Sequence, residues 1–169
     1  MLTFPKMFLA FALAGGFATA ASAAGSSGGA NVKATTPLNN TEIYRLYGQN
    51  SWIWKAGAGH FSVRARRFTA WSREEGPPSY GVGRWFITRP GKLCFNARWY
   101  AQSGSAPAIT CFSHRKKGNV IYQKREPDGQ WYIFKNAPVN SSDEFTKLRY
   151  GDYVGAQLGK IQAIVGKAP

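Results

Sequence analysis

The stretch "RFTAWSREEGPPSYGVGRWFITRPGKLCFNARWY", residues 67–100, decides the fold class. It holds three runs rich in aromatic and β-branched residues, RFTAWSR, SYGVGRWFIT and KLCFNARWY. Two sets of turn residues separate them, Glu74 to Pro78 and Pro90-Gly91. Aromatic and branched side chains suit a pleated, half-buried surface, while Gly and Pro interrupt it. Three consecutive antiparallel strands are the reading. The pattern continues on both sides. SWIWK and HFSVR precede it, with Gly57 and Gly59 closing the first, and AITCFSHR, NVIYQKR and QWYIF follow, with a turn at Pro127-Asp128-Gly129. Eight short strands with short joints predict a mainly β chain. They form an antiparallel up-and-down meander, closed or strongly curved into a small barrel of the lipocalin or streptavidin architecture.

One short helix stands before the strands, in TPLNNTEIYRLYGQN. Asn40 or Thr41 caps it, Glu42 suits its positive end, and Ile43, Leu46 and Tyr47 share one apolar face. Gly48 ends it. After the strands, Glu144 to Leu148 reads as a single helical turn and RYGDYV as a return to the sheet. The last stretch, with Gly155, Gly159 and Gly166, carries no assignment.

The chain opens with one charge, Lys6, then an apolar run from Met7 to Phe17 and the small-residue pattern Ala21-Ser22-Ala23. This is the layout of a secretory signal peptide over residues 1–23. The apolar run falls short of the about 20 residues that span a bilayer. Residues 24–36 are small and polar, and read as a flexible linker. Residues 37–169 then form a single domain. Export to the periplasm is the expectation, with no membrane-spanning segment left after cleavage.

Export gives the two cysteines their meaning. In an oxidising compartment, Cys94 and Cys111 are expected to bond to each other. Neither cysteine belongs to a zinc-type spacing or a C-x-x-C pair, so neither a metal nor a redox cofactor is expected. A hairpin with its loop at AQSGSAP places the two nearly opposite, as a cross-strand disulfide requires. Alternation puts Leu93, Phe95, Ala97 and Trp99 on one face and Cys94, Asn96, Arg98 and Tyr100 on the other, more polar one. That polar face is either the outside or a polar-lined cavity.

The chain holds 22 Lys and Arg against 8 Asp and Glu, a net charge of +14. Such a charge implies anionic partners. Basic residues adjoin aromatics at Arg64 to Trp71, Arg84-Trp85-Phe86 and Arg98-Trp99-Tyr100. Such interleaving suits single-stranded nucleic acid in a cytosolic protein, but export argues against that partner. Strand alternation explains the pairs more simply, with Trp turned to the core and Arg to solvent. The only histidines, His60 and His114, are the candidates for a general base. No His-Glu-x-x-His motif accompanies them.

Trp52-Ile53-Trp54, Gly83-Arg84-Trp85, Leu93-Cys94-Phe95, Cys111-Phe112-Ser113-His114 and Asp143-Glu144-Phe145-Thr146-Lys147-Leu148 together resemble a family of small exported proteobacterial proteins. The family is known as domain of unknown function 995, and the similarity runs from about Leu38 to Val154. It implies export, paired cysteines and a Gram-negative envelope setting. It brings no activity and no catalytic residues.

The functional expectation is a non-enzymatic periplasmic module binding an anionic or amphiphilic envelope component: polysaccharide, lipid head group or peptidoglycan. The residues placed in that role are Asn96, Arg98, Tyr100 and Arg115 on the disulfide's face, with Arg64, Arg66, Arg67, Lys116 and Lys117 adding charge. Two alternatives stand beside it. One is a hydrolase or transferase acting on an envelope polymer through His60 or His114. The other is a module that grips or inhibits an envelope protein.

Overall fold

A computed structural model describes residues 29–166, apart from Glu75 and Arg89. The expected signal peptide and the first linker residues lie outside the described residues. All eight expected strands form: β2 (Asn50–Trp54), β3 (Gly57–Phe61), β4 (Arg67–Ser72), β5 (Ser79–Thr88), β6 (Lys92–Ala101), β7 (Gly104–Lys117), β8 (Val120–Arg125) and β9 (Tyr132–Lys135). Each pairs antiparallel with the next. Two short strands complete a curled half-barrel sheet. β1 (Thr36–Pro37) pairs with β7, and β10 (Leu148–Tyr150) pairs with β2. The order β10-β2-β3-β4-β5-β6-β7-β8-β9 brings the chain's last strand back to the start of the meander.

Between β9 and β10 the chain makes a 3-10 turn, Glu144–Lys147. Asp143 organises it. Its carboxylate accepts hydrogen bonds from Asn136 N (2.8 Å), Asn136 Nδ2 (2.6 Å) and Asn140 N (2.9 Å). Burial opposes its charge, but these three donors hold the carboxyl below its usual range.

Several boundaries differ from the sequence reading. Gly57 and Gly59 do not close a strand; they lie inside β3, and the turn falls at Lys55-Ala56. A Cβ on Gly57 would stand 2.2 Å from Trp54 Nε1, so only glycine lets that indole lie against the strand. The expected seven-residue hairpin loop contracts to Gln102-Ser103, because β7 starts at Gly104. The stretch read as linker is docked from Ala30 onward, where Ala30 N donates to Trp131 O (2.7 Å) and Thr36 pairs with Lys116. The unassigned tail forms helix α2 (Gly155–Val165).

The early helix, α1 (Asn40–Tyr47), is capped by Asn39 rather than Asn40 or Thr41. Asn39 Oδ1 accepts from Glu42 N, and Glu42 Oε2 accepts from Asn39 N, both at 2.9 Å. This reciprocal pair satisfies two donors at the helix start. The helix covers one end of the concave side and buries Ile43 and Tyr47 completely. Tyr47 packs edge-on against Phe61 at 5.3 Å, and Phe68 stacks on Phe95 at 4.3 Å. Burying rings of this size is the main stabilising term of the domain.

Candidate functional site

Register assigns the two faces of the sheet. Trp85, Leu93 and Ala97 point into the core and are fully or nearly fully buried. Cys94 pairs directly with Cys111 and is bonded to it, with Cα atoms 4.1 Å apart. The disulfide therefore lies on the outer, convex face. The Arg-Trp pairs divide as alternation requires: Trp85 is buried in the core, while Arg84 and Arg98 face solvent.

On that outer face the register aligns Arg67, Arg84, Asn96 and Ile109 across four adjacent strands. Arg98 stands one step along β6, beside Val82 and Pro107. Arg67, Arg84, Asn96 and Arg98 are all exposed. Strands β4 to β7 contain no Asp or Glu on either face. The four ion pairs among the described residues use Lys or His, and none uses an arginine. Like charges directly opposite, as Arg67 and Arg84 are, destabilise a bare sheet, and a bound anion relieves that repulsion.

The loop before β4 carries two more of the expected arginines. Arg64 is exposed, and Arg66 lies 4.5 Å from the Trp85 ring centroid and 5.0 Å from that of Tyr44. Ala65 and Arg66 both take positive φ, 52° and 51°. Left-handed backbone at non-glycine residues costs roughly 1–3 kcal/mol each and persists only where surrounding contacts hold it. Here the stacking of the guanidinium on Trp85 and Tyr44 is such a contact.

The other residues expected in the site are not assembled with these. Arg115 shares the outer face, but its guanidinium donates to Thr35 Oγ1 (2.7 Å) and to Thr35 O, so β1's flank occupies it. Lys116 pairs with Glu42 of α1, while Lys117 stays exposed at the end of β7. Tyr100 stacks on Tyr80 at 4.9 Å, at the margin where Tyr80 Oη donates to Gly166 O beside α2. Arg84, absent from the expected set, stands at the centre of the patch. Strand alternation already put Arg84 outward; only the β4–β5–β6 register sets it between Arg67 and Asn96.

Neither histidine is fully exposed. His114 is 1 % exposed. Tyr47 Oη accepts from Gln123 Nε2 (2.7 Å) and donates to His114 Nε2 (2.8 Å), which leaves the ring proton on Nδ1. Nδ1 has no partner. Tyr132 Oη closes the network on Gln123 Oε1. Burial pushes the His114 imidazole down to about 4, offset in part by the nearby backbone of Gly91 and Phe112. His60 lies on the outer face opposite Ser51, with Nδ1 3.7 Å from Asp152 Oδ2. Ser51 is fully buried, donates to Gly151 O (2.7 Å) and accepts from Tyr153 N (3.0 Å). That hydroxyl is committed to backbone rather than to the imidazole.

A cavity of about 360 Å³ opens on the concave side, away from α1. Trp52, Trp54, Trp99, Phe95 and Phe112 form its walls, and Glu74, Arg125 and Glu144 stand at its rim. Glu144 is engaged by Trp52 Nε1 (2.8 Å) and Lys147 (2.6 Å). The Arg125 guanidinium has no hydrogen-bond or ion-pair partner among the described residues, while its backbone O accepts from Gly129 N (2.9 Å). No three His, Cys, Asp or Glu side chains cluster as a metal site among the described residues. Nor is any described helix long and apolar enough to cross a membrane.

The family described as "Protein of unknown function (DUF995)" matches residues 11–154. The chain belongs to this family. No curated protein and no solved structure matches it. Family membership covers every strand and the disulfide, and it leaves α2 beyond the matched region.

Proposed function

We propose that this DUF995 member is a non-enzymatic, exported cell-envelope protein that binds an anionic envelope component through the outer arginine face. The carrying observation is the charge layout. Arg67, Arg84 and Arg98 stand together on strands free of carboxylates, and no arginine is ion-paired among the described residues. Arginine presents a planar fork of donors that matches carboxylate and phosphate. An outer sheet face with arginines at adjacent strand positions suits a repeating anion, as on an acidic polysaccharide or a lipid surface. The whole-chain charge of +14 adds a long-range pull toward such a surface. Export is supported by the N-terminal sequence pattern and by the disulfide, which persists best in an oxidising compartment.

The test compares two triple variants carrying the same change in net charge. Arg67→Glu/Arg84→Glu/Arg98→Glu alters the face; Lys33→Glu/Arg45→Glu/Lys55→Glu alters exposed cations elsewhere. Each basic residue near an anionic surface contributes about 1 kcal/mol. Loss of three therefore weakens binding to phosphatidylglycerol vesicles or polygalacturonate by about a hundred-fold or more. Equal weakening by both variants would reduce the effect to net charge and remove the face from the argument. A reporter fusion that is inactive in the periplasm would remove the export part.

A further inference from the structure

The aromatic cavity is independent of the arginine face and opens on the opposite side of the sheet. Here α1 fills one end with Ile43 and Tyr47, and the other end is left open. At about 360 Å³ the cavity lies at the small end of the range for small-molecule sites, about 300–1,000 Å³. That volume admits a single slender ligand and not a folded partner. Its walls are indole and phenyl rings, and the only neutral hydroxyls lining it are Ser72 and Thr110. A polyhydroxylated ligand would lose more hydrogen bonds to water than this lining returns. An alkyl chain loses none.

The rim decides the head group. Glu144 is already bonded to Trp52 and Lys147. Glu74 is exposed on the β4–β5 loop, where it can remain solvated. Arg125 lines the cavity, opposite the inward-facing Phe112 in the β7–β8 register, with its guanidinium unpartnered among the described residues. A free guanidinium beside an apolar cavity, in a chain of net charge +14, selects an anionic head over a cationic one. We infer that this cavity binds a single-chain amphiphile with an anionic head, a long-chain carboxylate, with the chain against Trp52, Trp54 and Trp99 and the carboxylate on Arg125.

Three indoles line the site, so ligand entry is read directly in tryptophan emission. The purified protein is titrated with dodecanoate, dodecanol and dodecyltrimethylammonium, each below its micelle concentration, with calorimetry for stoichiometry. The expected result is saturable one-to-one binding of dodecanoate. Arg125→Gln weakens dodecanoate at least ten-fold and leaves dodecanol within two-fold. Thr110→Trp, which fills the cavity, abolishes both ligands. The outer-face triple variant binds dodecanoate as the unmodified protein does, which separates this site from the arginine face. Three outcomes overturn the inference: no saturable binding of dodecanoate, tighter binding of the ammonium amphiphile, or dodecanoate affinity unchanged in Arg125→Gln. The last variant changes an exposed residue, so its result stands even if Thr110→Trp fails to fold.

Discussion

Mild acid is expected to destabilise the domain through His114. Its imidazole is held down to about 4 in the folded protein, chiefly by burial. In the unfolded chain it titrates near 6.5. Between these values the unfolded chain binds a proton that the folded chain does not. Stability therefore rises with pH across the window and falls as pH is lowered through it. One proton of difference corresponds to about 1.4 kcal/mol per pH unit. Integrated from neutral pH, the loss is about 2 kcal/mol at pH 5 and about 3 kcal/mol at pH 4. The carboxyls of Glu42, Glu126 and Asp143, all held below their usual range, add their own losses only below about pH 4.5. The interval from pH 6.5 to 5 thus isolates the imidazole from these carboxyls. Urea unfolding followed by tryptophan emission at pH 7.0, 6.0 and 5.0 measures the slope. His114→Gln should remove the slope, whatever it does to absolute stability through Tyr47 and Gln123. A stability that stays flat from pH 6.5 to 5, or an equal slope in His114→Gln, would refute the reasoning.

Three further outcomes are expected. Cys94→Ser/Cys111→Ser opens a link between residues 17 apart, and loop-closure entropy sets the loss at about 3 kcal/mol by chemical denaturation; equal stability of oxidised and reduced protein would count against that role. Gly83→Ala places a Cβ 1.9 Å from Asn96 O and 2.6 Å from Ala97 Cα, both backbone atoms that cannot swing aside. It should cost about 3 kcal/mol or prevent folding, and a melting point within a degree or two of the parent would show that β5 and β6 separate freely. Asn39→Ala removes the helix cap and should cost about 1 kcal/mol, whereas Asn40→Ala, outside the capping pair, should cost much less.

Features set by local pattern were legible in the sequence. Residues 79–88 and 92–100 alternate with period two between turn residues, so their strands and the grouping of Leu93, Phe95, Ala97 and Trp99 on one face followed directly, whereas the turning of that face inward did not. The Cys94–Cys111 pairing followed from the same hairpin. Features set by distant partners were not legible. Gly57 and Gly59 read as a strand end because glycine is a local breaker, yet the rings of Trp54 and Phe68 require them inside β3. β1 and β10 are two and three residues long. They carry no period of their own and form because β7 and β2 offer unpaired backbone.

The candidate site divides in the same way. Composition determined a basic chain, and alternation determined that Arg84 and Arg98 point away from Trp85 and Trp99. Tertiary structure decided which cations remain available. Arg115 is bonded to Thr35, 80 residues away, and Lys116 to Glu42, 74 residues away, so neither joins the patch. His114 sits among polar neighbours in the chain, but the β7–β8 register turns it inward beside Gln123. The physical reason is one of range. Side-chain period and turn chemistry act over a few residues, whereas charge pairing, burial and cavity shape depend on strands that meet only when the sheet curls.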